Sequence, residues 1–95
     1  MVVGVGYIVF RIHQCRSLKE KRKVVKAIVA RMRNHFNASV AEVADNDIYQ
    51  RAVVGVSLVG SDRRSINAKL DKLFNFAEAL GLAEIVDTQM EIISL

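Results

Sequence analysis

The sequence has one cysteine, Cys15, which excludes an internal disulfide framework and any zinc site built on several thiolates. His13 and His35 are too far apart, and too poorly supplied with other ligand residues, to replace those thiolates, so neither a metal nor a cofactor is expected. Proline is absent, and no Gly/Ser-rich or low-complexity stretch interrupts the chain, so residues 1–95 read as one domain without a linker. Long apolar runs are missing too. The opening Val2–Phe10 stretch is far short of a bilayer span and has no basic residue before it. It reads as a strand, and a soluble cytoplasmic protein with no membrane contact is the expectation. Asn37-Ala38-Ser39 matches a glycosylation pattern, which carries no meaning without a secretion signal.

The apolar residues that are present, 52% of the chain, are numerous for a domain of 95 residues. At that length folding buries roughly 60–65% of the unfolded surface. Part of the apolar surplus is therefore expected to be covered by another subunit, with a homodimer the simplest form. Residues 2–13 are continuous and rich in β-branched side chains, as in a central strand. Leu18, Val25, Ile28, Val29, Met32 and Phe36 recur at helical spacing and predict a helix over about 18–35. Residues 38–44 and 49–59 read as strands joined by the Asp45-Asn46-Asp47 turn. Asp62 opens a second helix with Ile66, Leu70, Leu73, Ala77 and Leu80 on one face, Gly81 closes it, and 84–94 is a last strand. This βαββαβ order predicts a ferredoxin-like α+β sandwich, an antiparallel sheet of order 4-1-3-2 with both helices on one face. If Ile8, Phe10 and Ile12 face the helices, Val3, Val5, Tyr7 and Val9 face the side that no helix covers.

Charge is distributed unevenly. The net charge is +4, yet residues 16–33 hold eight bases and one acid, for a local +7. In RSLKEKRK, residues 16–23, five of eight are Lys or Arg at a helix start, where the macrodipole favours carboxylates. Ser17-Leu18-Lys19-Glu20 is a capping box that offsets this by on the order of 1 kcal/mol. Arg16 and Lys21 occupy the two positions that a hydrophobic staple would fill with apolar side chains. At about 100° per residue, Lys19, Arg22, Lys23, Lys26 and Arg33 project within about 100° of one another. A solubility face normally mixes signs so that pairs four apart stabilise the helix. Here Glu20 is the single acid and the cap occupies it. The counter-charge is expected to come from an anionic ligand, RNA phosphate above all, bound by Arg16, Lys19, Lys21, Arg22, Lys23, Lys26 and Arg33. Arg51, Arg63 and Arg64 are candidate additional contacts. Arg51 can equally pair with Asp47.

With SLKEKR (17–22), Arg33-Asn34, Phe36-Asn37, SVAEV (39–43), QRA (50–52) and DRR (62–64), nearly the whole chain resembles the YlxP-like family of small bacterial proteins of unknown function. The loop at HQC (13–15) departs from the Pro- and Gly-containing loop usual there. The resemblance implies a ferredoxin-like fold in the bacterial cytoplasm. Members are often encoded beside translation-initiation and ribosome-maturation genes, which implies RNA or ribosomal particles as the partner. It supplies no catalytic residues.

Three other readings use the same fold. An acylphosphatase-like enzyme would need a phosphate-binding loop at Gly4–Arg11, but β-branched residues fill that stretch and it reads as strand. Stacking of bases on strand aromatics, as in RNA-recognition motifs, is disfavoured because RAVVGVSLV (51–59) contains no aromatic and Tyr7 alone is placed on the open face. A small oligomeric ligand-sensing module would need a pocket between subunits. Cys15, beside Arg16 and just before a helix, has the setting of a reactive thiol, although an incidental cysteine is the simpler reading.

Overall fold

Val2, Val3, Val5, Ile8 and Val9 give β1 (Val2–Arg11) its extended backbone, and the strand is paired along both edges. The computed structural model describes residues 1–95. After β1 come α1 (Leu18–His35), β2 (Ser39–Ala44), β3 (Arg51–Gly60), α2 (Arg63–Ala79) and β4 (Glu84–Ser94). The strands form one antiparallel sheet in the order β2-β3-β1-β4, the expected 4-1-3-2 arrangement. No helix is long and apolar enough to cross a membrane.

Two boundaries differ from the sequence reading. The first strand stops at Arg11 rather than residue 13, because Gln14 turns the chain with φ 59°. Ile12 and Cys15 tuck into the core on either side of that turn. The β2–β3 connection is longer than a three-residue turn: Asp45 is left-handed, with φ 58°, its carbonyl accepts from the Ile48 N–H, and β3 begins only at Arg51.

Both helices pack on the same face of the sheet. Phe10, Ile8 and Val54 from the strands meet Ile28 and Met32 of α1 and Ile66, Leu70 and Leu73 of α2 in one fully buried core. Each such side chain contributes roughly 1.5–3 kcal/mol. α2 presses close on Gly4 and Gly6 of β1, as it does on Gly60 at the end of β3. A β-carbon on Gly4 would fall 2.5 Å from Ile66 Cγ2, and one on Gly6 would fall 2.9 Å from Phe74 Cζ. These glycines are approach points inside a paired strand, so the stretch forms no phosphate-binding loop. α2 begins at Asp62, whose carboxylate accepts from the Ser65 N–H at 2.8 Å, and Gly81 follows its end at φ 65°.

The opposite face of the sheet carries no helix. Val3, Val5 and Tyr7 point there as expected, while Val9, between Val53 and Asp87 next to the irregularity in β4, is covered by its neighbours.

Candidate nucleic-acid interface

The start of α1 is built as its residues imply. Ser17 holds an extended N-cap conformation, and its hydroxyl accepts from the Glu20 N–H at 3.1 Å. Glu20 reaches back one residue beyond the cap and accepts from the Arg16 N–H at 2.7 Å rather than from the Ser17 amide of the standard box, so the turn is still closed from both sides. Ser17→Ala should therefore lower stability by about 1 kcal/mol in urea unfolding.

Beyond the cap, Lys19, Arg22, Lys23 and Lys26 are all exposed along one flank of α1, with Arg16 exposed at its head. The chain forms three ion pairs, His13–Glu84, Lys21–Glu42 and Arg51–Asp45, and none of them uses these five cations. The row from Lys19 to Arg33 extends over about 21 Å of helix. Arg33 is exposed as well, but its guanidinium also donates to the Val40 carbonyl at 2.6 Å. That contact ties the end of the ridge to β2, an edge strand of the sheet.

Lys21 must be removed from the interface. It is 1% exposed, its Nζ lies 2.9 Å from Glu42 Oε2, and it donates to the Asp45 carbonyl. Lys21, Val25, Ile28 and Met32 are the buried residues of α1 and follow one another at helical spacing, so Lys21 lies on the stripe that faces the sheet. Its stem crosses the core edge and its ammonium emerges against the hairpin. The like charges of Arg16 and Lys21 consequently do not face one another. The pair joins two of the motifs on which the family resemblance rests, SLKEKR and SVAEV.

The other candidates lie on other elements. Arg51, at the start of β3, pairs with Asp45 at 2.7 Å rather than with Asp47. Arg63 donates to the Ile92 carbonyl at 3.1 Å and to Ser94 Oγ at 3.0 Å, fastening α2 to β4. Arg64 is exposed with no carboxylate partner, at the start of α2 rather than on the ridge. The ridge thus comprises Arg16, Lys19, Arg22, Lys23 and Lys26, with Arg33 at its end. His35 stacks on Phe76 with ring centroids 4.3 Å apart, so packing fixes it as well as any interaction with the helix end. Cys15 is buried and its thiol donates to the Ser17 carbonyl at 3.4 Å, which withdraws it from solvent chemistry.

Comparison with known proteins places this geometry in a family. Residues 3–90 match the family model described as protein of unknown function (DUF503). The uncharacterized protein YlxP of Bacillus subtilis (strain 168) is 35% identical over 80 residues, spanning 84% of this chain and 87% of that protein. Among solved structures, a de novo designed protein with a ferredoxin fold, LFR1 1, superposes with TM-score 0.51 at 8% identity, covering 98% of this chain and 83% of the design. A VAO-type flavoprotein of Myceliophthora thermophila C1 contains a similar substructure, with TM-score 0.56 and 14% identity over 98% of this chain and 16% of that one. At such identities the two structures speak for the fold alone.

Proposed function

The chain belongs to the DUF503 family of proteins of unknown function, and we propose that it is a cytoplasmic RNA-binding accessory protein that docks on ribosomal particles through the α1 ridge. One observation carries this reading: five exposed cations within about three helical turns have no carboxylate partner, although the chain contains ten acids. Clustered cations repel one another unless a counter-charge is supplied, and a polyphosphate backbone supplies several at once. The ridge contains no aromatic side chain on which a base could stack. Its contacts would therefore be with phosphates and the shape of a folded RNA rather than with base edges.

Co-sedimentation tests the proposal. The purified protein should travel with ribosomal particles at about 50 mM salt and be released by about 200 mM, because several phosphate contacts lose orders of magnitude in affinity over that range. A protein that stays at the top of the gradient at low salt would refute it.

A further inference from the structure

We infer that the uncovered face of the sheet is closed by a second copy of this chain, packed sheet against sheet. This inference is independent of the RNA reading, since it concerns the side of the molecule away from the helices.

The face carries an apolar band along β1 and β3, with Arg11 and Arg51 at one end and Asp87, Gln89 and Glu91 along β4. On it stand Tyr7, 37% exposed, and Val59, 64% exposed, together with Val43, Val86 and Ile93, all exposed, and half-buried Val3, Val5 and Val53. Although 52% of the chain is apolar, 20 of 95 residues are buried, so the helix side alone does not use the apolar content. A patch of this kind on a small domain marks an interface. Four strands about 4.8 Å apart, three of them 10 or 11 residues long and β2 6, make a surface of roughly 19 by 30 Å. Two such faces together cover roughly 1,100 Å² before side-chain relief is added, just above the roughly 1,000 Å² that a specific interface must reach. The whole face is therefore needed, which fits a second extended sheet.

Shape and charge favour an identical partner. Beside Tyr7, the small residues Ser39, Ala41, Gly55 and Ser57 leave an open groove of about 350 Å³. A protruding ring and an adjoining groove on the same surface are what a twofold, self-complementary contact requires. At one end of the face Arg11 and Arg51 stand directly opposite each other across β1 and β3. Asp45 neutralises Arg51, while Arg11 has no carboxylate partner. Along β4, Asp87 and Glu91 sit across from Val9 and Val5 on this same face, and neither is in an ion pair. Two such sheets crossed at a steep angle bring the Arg11 end of each copy over the acidic β4 of the other.

Sedimentation equilibrium of the full chain at tens of micromolar should give twice the 10.6 kDa chain mass. Val43→Asp with Val59→Asp, both exposed in the single chain, should leave the far-ultraviolet dichroism unchanged and return the mass to that of one chain. Arg11→Glu alone should weaken association at least tenfold, and adding Glu91→Arg should restore it. A parent that sediments at the single-chain mass overturns the inference. So does a folded double-aspartate variant that still dimerises. Loss of RNA binding in that variant with no change of mass would make the face an RNA platform and would overturn it equally.

Discussion

Lys21→Met is expected to destabilise the protein by about 3 kcal/mol, the lower end of the range for a buried ion pair that loses one member. The ammonium is 1% exposed and the Glu42 side chain 18%, so removal leaves a largely buried carboxylate without its counter-charge. The Asp45 carbonyl also loses a donor, although the Ile48 N–H still serves it. The partial exposure of Glu42 keeps the cost from reaching 5 kcal/mol. For a domain whose total stability is on the order of 5–15 kcal/mol, this is a large fraction. Lys21→Met combined with Glu42→Leu should recover most of the loss, because both desolvation costs then vanish together. Urea unfolding of the two variants measures both effects. A single variant within about 0.5 kcal/mol of the parent would show that the pair does not pin α1 to the hairpin.

The second large effect concerns binding. Replacing Lys19, Arg22 and Lys26 by Gln should weaken affinity for ribosomal RNA by roughly a hundredfold at 0.1 M salt, since each phosphate contact contributes somewhat under a factor of ten there. The loss should be similar for RNAs of unrelated sequence, because phosphate contacts do not read bases. Stability should hold or rise slightly: all three side chains are exposed and unpaired, Gln keeps good helix propensity, and the like-charge repulsion falls. Filter binding alongside urea unfolding separates the two quantities. A variant that loses affinity only in step with lost stability would remove the ridge from the interface.

Much of this architecture was legible along the chain because local rules agreed with one another. The helix from Leu18 to His35 has its bounds written in Ser17, Glu20 and the apolar spacing. The central place of β1 follows from apolar side chains on both faces. What was not legible depended on partners distant in sequence. Lys21 reads as one more cation in a basic run, and its partner Glu42 lies on a strand whose register a single sequence does not reveal. A signal was nevertheless present, since Lys21 falls at i, i+4, i+7 and i+11 with Val25, Ile28 and Met32, a row reserved for buried side chains. Arg51 pairs with Asp45 instead of Asp47, and the left-handed backbone of Asp45 is one that the Asp45-Asn46-Asp47 turn signal does not single out among its three residues. The fastening role of Arg63 likewise needed the position of β4. Exposure of the remaining ridge cations was predictable from helical angle alone.

The most direct test of the ridge is the salt dependence of RNA affinity, measured for the parent and for the Lys19, Arg22 and Lys26 to Gln variant. Log affinity should fall linearly with log salt for both proteins, by roughly 0.7–0.9 per phosphate neutralised. The variant's slope should be shallower by about two to three units, one for each contact removed. Equal slopes and equal affinities would show that these cations face solvent only, and that RNA, if bound at all, is held elsewhere.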